Sequence, residues 1–131
     1  MKKISLIIGL FLIWASGGYA QSKRLLFKTE FGQFKVVLYD FTPHHRDLML
    51  RSIQDTVYQN ALFIRIIENF VVQGGEHDID IEKREAADPT HRKPRLAAEF
   101  DDRAFHKMGA LGAGRDANPE KASFLNQIYF V

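Results

Sequence analysis

The chain has 131 residues, 46 % of them hydrophobic and 26 % charged, with a formal net charge of +2, a composition that fits one globular domain. It contains no cysteine, which excludes thiol catalysis, disulfide staples and cysteine-ligated metal. Without Lys2 and Lys3, which belong to the leader described next, the chain is formally neutral, and this argues against a nucleic-acid binder, whose footprint is a basic face.

Residues 1–20 read as a signal peptide. "MKK" is a basic start, "ISLIIGLFLIWA" is an apolar stretch, and "SGGYA" offers small residues for cleavage after Ala20. The apolar run is shorter than the ~20 residues a membrane span needs. The expectation is a periplasmic or secreted domain over residues 21–131, with no stable membrane insertion after cleavage.

From Leu25 to Asp40, Phe27, Thr29 and Phe31 alternate with polar residues, and Phe34, Val36 and Leu38 share one parity beyond Gly32. This predicts an antiparallel hairpin turning at Phe31-Gly32-Gln33. Thr42 then reads as an N-cap and Pro43 as the first helical residue. Met49, Leu50, Ile53 and Val57 recur at helical spacing, so a helix is expected over Pro43–Gln54.

"ALFIRII" and "FVVQ" predict a third and a fourth strand joined tightly at Glu68-Asn69. Residues 74–95 read as a polar surface excursion with a short helix near "EKREAA". The small-residue stretch "GALGAG" predicts a strand that permits close backbone approach, and "ASFLNQIYFV" predicts a last strand. That run reaches Val131 with no polar tail, so the chain is expected to stop early. The pattern as a whole indicates a mainly β domain, barrel or sandwich.

Candidate metal groups are His44-His45 and the cluster Glu76, His77, Asp78, Asp80 and Glu82. Neither has the spacing of a zinc helix or a calcium loop, and solvated surface is the expectation: no metal and no cofactor. Gly109, Gly112 and Gly114 match neither nucleotide-binding glycine pattern, and Ser22, Ser52 and Ser123 lie in no nucleophile elbow. Arg65, inside the apolar run "FIRII", is the unusual residue, because a charge among Phe and Ile must be paired or employed. Strand alternation places Phe63 and Ile67 on its face and Ile64 and Ile66 on the other. A rim arginine paired to a carboxylate is the plain reading from composition.

The stretch "FIRIIENFVVQGGE" resembles the signature of the cyclophilin family of peptidyl-prolyl cis-trans isomerases, roughly F-H-R-V-I-P-G-F-M-I-Q-G-G-D. Phe63, Arg65, Ile67, Phe70, Gln73, Gly74 and Gly75 fall in register without gaps. "TEFGQFKVVLYDFTPHHRD" looks like the family's opening hairpin and first helix. "AAEFDDRAFHKMGALGAGRDANPEKAS" is similar to its "PAEF…HKRGALSMAR…NP…S" stretch, and "NQIYFV" to its "SQFFI" strand. The likeness is that of a divergent, bacterial-like copy covering Leu25 to Val131.

The resemblance implies a mainly β, eight-stranded antiparallel barrel capped by helices, with the family's last strands and C-terminal helix missing from this chain. It implies catalysis of X-Pro isomerisation in proline-containing polypeptides by a monomer, on a groove outside the barrel. By position, Arg65 matches the catalytic arginine and Gln73 the glutamine that braces it. Phe70 matches the floor of the proline pocket, Val71 its methionine lip, Gln127 the groove glutamine and Tyr129 a pocket aromatic. Gly114 and Arg115 match the segment that meets substrate backbone. A non-catalytic proline-peptide-binding module on the same scaffold is the alternative. Ile64, Glu68, Asn69, Val71 and Gly114 depart from the family's usual residues.

Overall fold

The computed structural model describes residues 22–88, 90 and 95–131; the signal peptide expected at residues 1–20 lies outside them. Among the described residues six strands and two helices follow in the order β1 (Arg24–Thr29), β2 (Gly32–Val37), α1 (Pro43–Gln54), β3 (Phe63–Ile67), β4 (Val71–Gly75), α2 (Asp78–Ala87), β5 (Leu111–Ala113) and β6 (Gln127–Phe130). No helix among the described residues is long and apolar enough to cross a membrane.

The hairpin β1–β2 forms from the alternating Phe-rich segment. Its turn is Glu30-Phe31, one residue earlier than the sequence suggests, because Gly32 already pairs with Thr29. Thr29 Oγ1 closes the turn by accepting from the Phe31 N–H and donating to the Gly32 carbonyl. Gly32 sits at φ +138, which a side chain rarely adopts. Phe31 is left on the tip and fully exposed.

The other strands form an antiparallel sheet ordered β3-β4-β6-β5. The β3–β4 turn is closed by the Phe70 N–H donating to the Ile67 carbonyl. Asn69 takes φ 58 there, a left-handed conformation that asparagine tolerates as glycine does. Glu68-Asn69 can therefore turn the chain where the family has Pro-Gly.

The hairpin and the sheet meet through side chains. The rings of Phe27 and Phe34 stack at 5.0 Å, and Phe130 of β6 meets them edge-on at 5.3 and 5.2 Å. Leu38, Met49 and Ile128 form the buried centre, with Leu25, Leu50, Tyr58 and Leu111 packed against it. Phe27, Phe34 and Phe130 thus build one aromatic joint between two sheets, where edge-to-face geometry adds ~1 kcal/mol per pair beyond burial.

The expected eight-stranded barrel is not closed among the described residues. A barrel needs one continuous ladder, and here two ladders leave β1, β2, β3 and β5 each with an unpaired edge. Ile66, on the core face opposite Val72, is consequently 70 % exposed.

Helix α1 has the predicted bounds but not the predicted cap. Thr42 makes no side-chain capping bond; Glu99, far away in sequence, accepts from the His44 and His45 N–H groups at 3.0 and 2.8 Å. The described first part of the polar excursion after β4 forms helix α2, longer than the short helix expected near "EKREAA". Helix α2 is capped by His77, whose Nδ1 accepts from the Ile79 N–H at 3.0 Å, and its Ile81 is buried. Arg95 ties it to the loop after β5 by pairing with Glu85 and Asp116 at 3.0 and 3.1 Å, with its guanidinium over the Phe124 ring.

Candidate active site

The central row of the sheet is set by register. Arg65 pairs with Gln73, Gln73 with Tyr129, and Tyr129 with Gly112. Directly opposed residues of antiparallel strands share a face, so Arg65, Gln73 and Tyr129 project from the face opposite Ile128 and Phe130. Gln73 lies on a central strand and is buried; Arg65 lies on the edge strand and is exposed. The Arg65 guanidinium donates to Gln73 Oε1 at 3.3 Å.

Phe63 does not share this face. The β3–β4 register shifts between Phe63 and Arg65, a bulge that carries Phe63 to the core side, where its ring lies 6.2 Å from that of Phe130. Strand alternation alone could not show this, because the bulge inserts one residue. Its effect is to put the arginine outward while its neighbour anchors the strand inward.

Phe70 stands at the end of the β3–β4 turn, 60 % exposed. Val71 beside it is buried and, two residues before Gln73 on β4, shares the face of Arg65 and Gln73. Gln127, expected at the groove surface, is 2 % exposed. Its amide donates to the Glu76 carbonyl at 3.2 Å and to the Asp78 carboxylate, so it braces β6 to the start of α2. Gly114 is buried against it: a Cβ there would fall 2.0 Å from Gln127 Oε1. Arg115 is exposed, its guanidinium donating to the Asp116 carbonyl.

Tyr129 is turned away from Arg65. A Cβ at Gly112 would lie 2.3 Å from Tyr129 Cζ and 2.5 Å from its hydroxyl, so the outer end of the ring rests on β5, across β6 from Gln73. The two small residues that make this possible, Gly112 and Gly114, are why "GALGAG" forms a strand under bulky neighbours. Burial raises the Tyr129 phenol above its ordinary pKa, and the nearby Arg115 charge partly offsets this. The ring contact of Tyr129 is with His106, 5.7 Å away, and not with Phe70.

The model of the family described as cyclophilin type peptidyl-prolyl cis-trans isomerase/CLD matches residues 24–130. The chain belongs to the cyclophilin family.

It is similar to a peptidyl-prolyl cis-trans isomerase of Acinetobacter baylyi, 24 % identical over 125 residues that cover 94 % of this chain and 62 % of that relative. The chain thus spans less than two thirds of the relative's length. No solved structure gives a significant match.

A cleft of about 630 Å³ in this cyclophilin does not include Arg65, Gln73 or Phe70 but is lined in part by Gly112, Arg115 and Tyr129. It opens between β2, α1 and the 98–110 segment over Leu38, Met49 and Ile128 and reaches round the β5 edge to Tyr129. The polar row Arg65-Gln73-Tyr129, rather than this cleft, marks the candidate site on the outer face.

One arrangement was invisible in the sequence. His45 Nδ1 lies 2.7 Å from Glu99 Oε2, and His45 Nε2 lies 3.2 Å from Ser123 Oγ. The ionised Glu99 only accepts, so a neutral His45 carries its proton on Nδ1 and accepts from the serine. The order nucleophile–base–orienter is that of acyl-transfer enzymes. However, the Ser123 N–H is given to the Leu96 carbonyl and the Phe124 N–H to the Gly114 carbonyl, so neither serves as an oxyanion donor. The chain of bonds instead clasps the start of α1 to the segment leading into β6. Among the described residues no three His, Asp or Glu side chains converge as a metal site.

Proposed function

We propose that this cyclophilin catalyses cis-trans isomerisation of X-Pro bonds in exported polypeptides, with Arg65 as the catalytic residue. The observation that carries the reading is the outward Arg65 guanidinium held by Gln73 at the centre of the sheet.

Rotation about an amide faces a barrier of ~18–20 kcal/mol, and a 10⁵-fold acceleration requires about 7 kcal/mol. No bond is broken, so the site has only to favour the twisted amide over both planar forms. Twisting ends the resonance and returns a lone pair to the prolyl nitrogen. A guanidinium fixed beside the bond meets that lone pair or holds the prolyl carbonyl, and its hydrogen bond strengthens as the amide twists. Gln73 restricts the arginine to one orientation, so less reorganisation is required during the rotation. Phe70 offers exposed ring surface for the proline, while Arg115 and Gly114 border the path of the peptide. The chemistry needs no cofactor.

The proposed working form is a monomer in the periplasm or outside the cell, released from residues 1–20 by cleavage after Ala20. Mass spectrometry of protein recovered from the cell envelope is expected to show Gln21 at the N-terminus, and an intact Met1 contradicts export by cleavage. The second reading, a proline-peptide-binding module without catalysis, is favoured by the position of Tyr129 away from Arg65. An isomerisation assay on a proline tetrapeptide, with Arg65→Ala beside wild type, separates the two. Catalysis lost in the variant supports the enzyme, and binding without catalysis in both supports the module.

A further inference from the structure

The Tyr129 hydroxyl lies 2.6 Å from His106 Nε2, and the two rings are 5.7 Å apart. His106 belongs to the irregular segment before β5, not to the sheet. The bond therefore crosses from the central strand β6, over the bare backbone of Gly112, to a residue beyond the free edge of β5. Three residue choices have to coincide: a phenol at 129, since a phenylalanine has no atom to bond; no Cβ at 112, since one would occupy the ring's place; and an imidazole at 106.

We infer that His106 is a positioning residue that latches the Tyr129 ring over Gly112, away from Arg65, so that a proline peptide must compete with the latch for this aromatic side chain. This rests on the reading of the Arg65 face as the peptide site. Two cationic side chains lie near the latch: Arg115, close enough to act on the phenol, and Lys107, next to His106 and directed toward the Phe105 ring. Neither removes the bond. A neutral His106 accepts a hydrogen bond from the phenol O–H at Nε2, and an imidazolium donates one from Nε2 to the phenol oxygen, so either form can make the latch bond. Its strength is that of one hydrogen bond in a partly exposed setting.

The test uses the full chain, its Tyr129→Phe and His106→Ala variants, and the double variant. Imidazole nitrogen resonances of His106 are expected to shift in Tyr129→Phe, which reports the latch without reference to catalysis. Affinity for a proline tetrapeptide, read by titration, is expected to rise about threefold to tenfold in each single variant, the size of one net hydrogen bond. The double variant is expected to match the singles, because the same bond is lost only once. In the isomerisation assay the change is expected in KM, with kcat held by Arg65. Unchanged His106 resonances in Tyr129→Phe overturn the latch. Shifted resonances with peptide affinity unchanged or undetectable in both variants overturn the competition. A wild type that binds peptide without isomerising it defeats the catalytic reading and leaves the latch to be judged on resonances and affinity.

Discussion

Arg65 and Gln73 face each other across β3 and β4 and are joined by a hydrogen bond of 3.3 Å from the guanidinium to the amide oxygen. The glutamine is buried in the centre of the sheet and the arginine stands at its edge, so the inner residue fixes the outer one. Gln73→Ala is expected to lower kcat/KM about tenfold to a hundredfold, the worth of one hydrogen bond to a charged group. Steady-state isomerisation kinetics check this, and the loss should fall mainly on kcat because the arginine is loosened rather than removed.

Gly114 stands where the family usually has alanine, and the Gln127 side chain occupies the place of the missing methyl. Gly114→Ala is expected to displace Gln127 from the Glu76 carbonyl and Asp78 and to destabilise the fold by about 1–3 kcal/mol. Denaturant unfolding measures the cost. In a Gln127→Ala background the same substitution is expected to cost less, because the obstructing side chain is gone.

Glu99 caps α1 from a distance. Burial pushes its carboxyl up, but the His44 and His45 amides and the His45 ring outweigh this and hold it below the ordinary value of 4.5. A carboxyl with a lowered folded pKa contributes stability above its unfolded pKa and loses it as pH falls through the folded one. Glu99→Gln is therefore expected to be less stable by about 1–2 kcal/mol near neutrality. The gap to wild type should narrow as the medium is acidified below about pH 4.5. Unfolding curves across that range report it.

Phe70 is largely exposed and supports little of the core. Phe70→Ala is expected to leave stability within ~0.5 kcal/mol of wild type. It should weaken proline-peptide binding about tenfold or more, since covering an aromatic ring is worth ~1.5–3 kcal/mol. Parallel melts and peptide titrations separate the two effects.

Local periodicity carried most of the architecture. The alternation around Phe27 and Phe34, Pro43 at the helix start and the two apolar runs around Glu68-Asn69 were enough to place β1 to β4 and α1. Order along the chain, from "FIRII" through "QGG" to "NQIYF", carried the family. What stayed hidden depends on residues far apart or on geometry without a residue code. Glu99 caps a helix that starts more than fifty residues earlier, so no local pattern marks it. The bulge that sends Phe63 inward has no required residue type. Gln127 and Tyr129 matched groove positions by sequence. Their directions, one inward to α2 and one across Gly112, follow from the partners that the fold supplies.

The central claim is that the braced Arg65 accelerates rotation about the X-Pro bond. Exchange spectroscopy on a proline tetrapeptide measures cis-trans interconversion and binding in the same sample. With Arg65→Ala the predicted result is peptide binding within a few-fold of wild type and an interconversion rate at least about a hundredfold lower. Equal rates in wild type and variant at saturating binding would contradict it.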